Sequence, residues 1–249
     1  MEKHIEVERS IIKKYRKNIW KRFIAGINEY EMIKPGDKIA VCISGGKDSM
    51  LLAKCIQQLQ KHSDFPFEAK YLVLDPGYSQ ENIEKIKYNA NLLDIPIEIF
   101  EGRIFDYVVD VEDNPCYMCA RMRRGHLYKN ALLIGCNKIA LGHHQDDILH
   151  TALMNLSFNG TFSTMPALLR MRKFPISIIR PLCLEHETDI AFLAKQHDYV
   201  KQVKRCPHEK ESRRTEAATQ FEQLCRFAPE FRQNLWHALL KEGKLVETE

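Results

Sequence analysis

The chain has 249 residues, 45% of them hydrophobic, and a formal net charge of +4; that is enough apolar material for a sizeable core and too little charge for binding driven by bulk electrostatics alone. The opening Met1-Glu2-Lys3-His4-Ile5-Glu6 lacks a basic-then-apolar export signal, and no apolar run reaches bilayer length, so a cytoplasmic protein without membrane contact is expected. Eight cysteines in a chain of this length, without an export signal, point to metal or redox chemistry rather than a disulfide scaffold.

Over residues 7–30, Ile11, Ile12, Tyr15, Ile19, Phe23 and Ile27 recur at helical spacing and predict an amphipathic leader helix, ended by Pro35-Gly36-Asp37. Residues 38–43 predict a short buried strand, a Ser-Gly-Gly turn follows, and 49–59 predict a helix. The alternation continues with strand 67–74, helix 82–93, strand 97–100, a helix after Cys119, strand 138–141 and helix 146–156. Strands separated by helices imply right-handed crossovers and an α/β fold, a parallel sheet covered by helices on both faces. A hairpin over 165–180 and three helical stretches, 185–196, 212–225 and 229–241, complete the chain. The expected division is a helical leader (1–34), a nucleotide-binding α/β domain (35–182) and a helical C-terminal segment (183–249).

The turn Ser44-Gly45-Gly46-Lys47-Asp48-Ser49 sits between a strand and a helix. Backbone N–H groups of a glycine turn that opens a helix form an anion cradle, to which Lys47 adds positive charge and Ser44 and Ser49 add hydroxyl donors. The spacing is neither the Walker form nor G-x-G-x-x-G. The segment resembles the hallmark loop of the PP-loop ATP pyrophosphatase superfamily, with an adenine nucleotide alpha hydrolase-like fold. That resemblance implies that the loop grips the pyrophosphate end of ATP and that attack falls on the α-phosphate, releasing AMP and pyrophosphate. Asp75, at the end of the second strand, either faces nucleotide or Mg²⁺ or forms an ordinary turn.

Leu141-Gly142-His143-His144-Gln145-Asp146-Asp147 ends another strand and falls on the same sheet edge. Asp146 and Asp147 either cap the following helix or hold Mg²⁺ or accept a proton, and His143 is placed to contact phosphate. The string Gly-His-His-x-Asp-Asp-Ile-Leu-x-Thr is similar to a motif of tRNA-modifying members of the superfamily, lysidine synthetases and 2-thiolation enzymes among them.

Cys116-Tyr117-Met118-Cys119 is a C-x-x-C pair able to bind a soft metal, run thiol exchange or simply pack. Cys206 is the further cysteine in a polar, basic setting; Cys42, Cys55, Cys136, Cys183 and Cys225 fall in or beside apolar elements. Three thiolates fit an iron-sulfur cluster with one iron left without a protein ligand, and this arrangement resembles the tRNA-cytidine 2-sulfurtransferase family. The resemblance extends to Arg121, Arg123, Arg124 and Gly125 and to Arg180-Pro181-Leu182. It implies a [4Fe-4S] cluster on Cys116, Cys119 and Cys206, ATP and Mg²⁺ as cofactors, tRNA as substrate with cytidine 32 as target, a sulfur donor such as a cysteine desulfurase or free sulfide, and a homodimer. This chain departs from the family in having Pro207-His208-Glu209 where a second C-x-x-C usually continues. Rival readings are a persulfide enzyme without iron, a lysidine synthetase, and a zinc-stabilised RNA-binding module using Cys116, Cys119, Cys206 and His208.

Overall fold

The computed structural model describes residues 2–108, 111, 115–203 and 213–248. Among them, seven strands form one sheet: β1 (Lys38–Ile43), β2 (Glu68–Asp75), β3 (Ile97–Glu101), β4 (Lys138–Ala140), β5 (Leu168–Arg170), β6 (Ser177–Ile179) and β7 (Val246–Thr248), in the order β3-β2-β1-β4-β6-β5-β7. β1 pairs in parallel with β2 and β4, β2 with β3, and β4 with β6, as the strand-helix alternation predicts. The expected hairpin is the antiparallel pair β5/β6, with Leu168 opposite Ile179. β7 pairs in parallel with β5 at the sheet edge; three residues near the end of the chain carry too little periodic signal to be read as a strand.

The central strand explains its own position. In β1 every residue after Lys38 is buried, which only a strand covered on both faces permits. The crossovers are α3 (Lys47–His62), α4 (Gln80–Leu92), α5 (Ile104–Val108) with α6 (Pro115–Leu133), and α7 (Gln145–Asn159), followed by α8 (Glu187–Gln196), α9 (Arg213–Phe227) and α10 (Phe231–Lys241). Helix α6 begins ahead of Cys119 and takes in both cysteines of the C-x-x-C pair. Pro115 at its first residue accounts for this, because its fixed φ suits a helix start and its missing N–H is not needed there.

The leader forms as α1 (Lys3–Arg9) and α2 (Lys21–Glu29), joined by two wider turns over Ser10–Lys14 and Arg16–Trp20. The Tyr15 N–H reaches back to the Ser10 carbonyl at 2.8 Å, a five-residue span that marks the widening. Val7, Ile11, Ile19 and Phe23 are fully buried in the same apolar cluster as Val41, Ile148, Leu193 and Phe221.

Candidate functional site

From β1 the chain crosses to β2 on one side, while β4 lies against β1 on the other. Ligands of open parallel sheets bind at the carboxyl ends of the strands where the order so reverses. Both motif loops leave the sheet here, the Ser-Gly-Gly turn after β1 and the Gly-His-His turn after β4.

The glycine turn is built to keep its amides available. Gly46 is the N-cap of α3, and no side chain caps that helix, whereas α4 is capped by Ser79, whose oxygen accepts from the Asn82 N–H. First-turn amides without a cap, at the positive end of a 16-residue helix, are left as donors able to meet an anion. The Ser49 hydroxyl donates to the Gly46 carbonyl at 2.9 Å and accepts from the Ser44 N–H at 3.2 Å, which holds the turn closed from beneath. Gly45 has φ +81°, and a Cβ there would lie 2.6 Å from Ile86 Cγ1 and 2.8 Å from Gln202 Nε2, so both conformation and space require glycine. Residues 200–203 are fastened to α4 by two asparagines, each bonding one backbone unit twice: Asn89 with Val200 and Asn82 with Val203.

The two loops touch. A Cβ on Gly142 would meet the Ser49 nitrogen at 2.9 Å and the Asp48 carbonyl carbon at 3.0 Å. His144, buried, bridges them electrostatically, with Nδ1 3.6 Å from Asp146 and Nε2 3.6 Å from Asp147 and 3.9 Å from Asp48. Burial pulls its pKa down, but the three carboxylates outweigh that and leave it raised. His143 behaves oppositely: burial, then the Arg180 guanidinium, lower its pKa to about 3. Arg180 Nε donates to His143 Nδ1 at 3.3 Å, so this imidazole is neutral and carries its proton on Nε2.

The carboxylates are each engaged. Asp147 accepts from the His144 N–H at 3.1 Å, capping α7, and pairs with Arg214 at 2.5 Å. Asp146 accepts from the Glu187 N–H at 2.8 Å and from Arg232 at 2.6 Å. Burial pushes both carboxyls upward, yet the histidine and arginine neighbours more than reverse it and hold them below their ordinary range. Lys47 lies 3.1 Å from both Asp48 and Glu187. Asp75 spends Oδ1 on its own turn, accepting from the N–H groups of Gly77 at 2.9 Å and Tyr78 at 2.7 Å.

Sequence reasoning did not assign Arg214, Arg232 or Glu187 to the site. Their sole local signal is charge, and the sheet topology brings them in from later helices. The cysteines separate as expected from their surroundings: Cys42, Cys55, Cys136 and Cys183 are buried, and Cys225 is partly so. Burial pushes the Cys42 thiol up to about 12. Cys116 is exposed and Cys119 packs against Leu74, Ile104 and Val108, one helical turn apart at the start of α6. Cys206 lies outside the described residues. Among the described residues, no three histidine, cysteine or carboxylate side chains converge on a metal-sized site, and no helix is long and apolar enough to cross a membrane.

Residues 12–202 match a family model described as a PP-loop domain. A tRNA-cytidine(32) 2-sulfurtransferase of Bdellovibrio bacteriovorus is 36% identical over 72% of this chain and 70% of the relative. One of Neisseria meningitidis serogroup C is 40% identical over 66% of this chain, which spans only 52% of that relative's length. The U34-tRNA thiolase NcsA of Methanococcus maripaludis, solved with its [4Fe-4S] cluster, superposes with a TM-score of 0.70 at 20% identity, covering 92% of this chain and 81% of that one. At that identity the likeness is one of fold.

Proposed function

The chain belongs to the PP-loop domain family, and from that premise we propose that it is an ATP-dependent tRNA thiolase that replaces the C2 oxygen of cytidine 32 by sulfur. The observation that carries the reading is the contact between the uncapped glycine turn and the Gly-His-His turn at the β1/β4 switch point, in a chain whose relatives are named for that reaction.

In this reading the amides of residues 45–48 and the Ser44 hydroxyl hold the β- and γ-phosphates, while the Ser49 hydroxyl, its proton on the Gly46 carbonyl, braces the turn beneath them. Lys47 leaves its partly exposed pairs with Asp48 and Glu187, which water weakens, for the more highly charged phosphates. The C2 oxygen of the base attacks the α-phosphorus, and the bond to pyrophosphate breaks. Sulfide then adds at C2, and the former C2 oxygen departs on AMP, so one sulfur replaces one oxygen with no redox change. His143, neutral and with Nε2–H free of Arg180, is suited to donate to a phosphoryl oxygen as charge develops. Asp48 and Asp147 would share Mg²⁺ with the phosphates, since that ion needs only one or two protein carboxylates there and neutralises phosphate charge. Asp146, already bonded to Arg232 and the Glu187 amide, positions the loop.

Cys116 and Cys119, soft ligands one turn apart, suit two corners of a [4Fe-4S] cluster, with Cys206 as the third ligand. When bound, such a cluster supplies sulfide through its iron without a protein ligand.

The test is anaerobic incubation of purified protein with ATP, sulfide and tRNA, followed by nucleoside mass spectrometry and a pyrophosphate assay. The parent is expected to make 2-thiocytidine and one pyrophosphate per sulfur. Lys47→Ala should lose about 10²-fold or more of both. A Cys116→Ala, Cys119→Ala double variant that thiolates normally would remove the cysteines from the chemistry.

A further inference from the structure

Helix α6 carries a glycine for which the fold offers no reason. Gly26, inside α2, would set a Cβ 3.2 Å from Cys183 Sγ and 3.3 Å from the Pro181 carbonyl oxygen, so packing accounts for it. Gly125 is exposed in the middle of a 19-residue helix, and a Cβ there would meet none of the described residues within 4 Å. Its φ is not positive, so alanine would fit without strain and would strengthen the helix. Among the described residues nothing fills the space above it, which leaves room there for a ligand.

The surroundings define that ligand. Arg121 and Lys129, one turn to either side, and Arg124 beside it are exposed, and among the described residues none lies within ion-pair distance of a carboxylate. The helix contains no aspartate or glutamate. Arg123 points the other way, over the rings of Tyr78 in the loop after β2 and Phe105 in α5, and fixes the helix to both. Tyr117 at the start of α6 is 62% exposed, and Tyr107 on the adjoining α5 is 67% exposed. Cations without a carboxylate partner and a gap in side-chain cover, both among the described residues, with bare rings for stacking, fit a polyanionic backbone with bases, not an apolar or acidic protein surface.

We propose that the face of α6 formed by Tyr117, Arg121, Arg124, Gly125 and Lys129 is where the RNA backbone docks, with Gly125 as the point of closest approach. This rests on the tRNA reading above. It also orients the substrate, because the strand-helix crossover starts α6 at the carboxyl edge, so RNA lying along this face runs toward Cys116 and Cys119.

Binding of full-length protein to a synthetic anticodon stem-loop carrying cytidine at position 32 is measured by fluorescence anisotropy across a salt series. Gly125→Ala is expected to raise Kd about 5-fold and Gly125→Gln more than about 10-fold, while both raise the thermal midpoint. The Arg121→Gln, Arg124→Gln variant should weaken binding and flatten the log Kd against log salt slope by about 1.5. Lys87→Gln with Lys241→Gln removes the same charge from other faces and should change Kd less than about 2-fold. If both Gly125 variants bind like the parent, the face is wrong and the function stands. If the parent binds neither the stem-loop nor whole tRNA, the face and the function fall together.

Discussion

Glu185 is fully buried, and neither of its carboxyl oxygens has a hydrogen-bond partner among the described residues. Burial raises its pKa well above the ordinary value of 4.5, so the folded chain keeps a proton there that the unfolded chain gives up. Its contribution to stability is intact below about pH 4.5 and declines as pH rises through the folded value, by up to about 1.4 kcal/mol per pH unit, the slope of one proton. Glu185→Gln keeps the shape without the titration. It should therefore raise the urea midpoint at pH 8 more than at pH 5; equal midpoint shifts at both pH values would show the carboxyl to be ionised in the fold. This residue gave no signal in the sequence, where it reads as one acid in a helical stretch. Ser44 to Ser49 were legible because the glycine turn's features lie in its own backbone and its immediate neighbours in sequence. Arg214 and Arg232 were not, because their partners Asp147 and Asp146 stand 67 and 86 positions earlier.

The elements were legible where the pattern is clear, a helical period in α3 and α7 and, in β1, a short apolar run covered on both faces. The start of α6 is signalled only by Pro115, whose fixed φ suits a helix start, and β7, three residues long, is too short to carry a period. More consequential is how two elements meet. Gly142 leaves β4 against the first turn of α3, and the atoms a methyl group would strike are backbone atoms of Asp48 and Ser49, which cannot rotate aside. Gly142→Ala should thus displace the glycine turn, which under the proposed function lowers kcat/KM for pyrophosphate release about 10-fold or more, and destabilise the fold by about 1–3 kcal/mol. Unchanged kinetics in steady-state assays would mean that the β4 loop has room to retreat and that the loops are not mutually braced.

At the scale of the whole molecule, the leader and the C-terminal helices are bound into the core rather than appended to it. Phe23, stacked on Trp20 with ring centroids 5.6 Å apart, is fully buried in the cluster that also holds Ile190, Phe221 and Leu239. That arrangement has a functional consequence, since α8, α9 and α10 deliver Glu187, Arg214 and Arg232 to the lysine and acids of the site. Phe23→Ala, remote from the nucleotide loops in sequence, removes a large buried ring and should cost about 3–5 kcal/mol. If the chain is one cooperative unit, calorimetry will show a single transition moved to lower temperature, with circular dichroism and tryptophan fluorescence changing together. Two transitions, with only the first moved, would instead make the leader a separately melting appendage whose loss leaves the arginines on Asp146 and Asp147 in place.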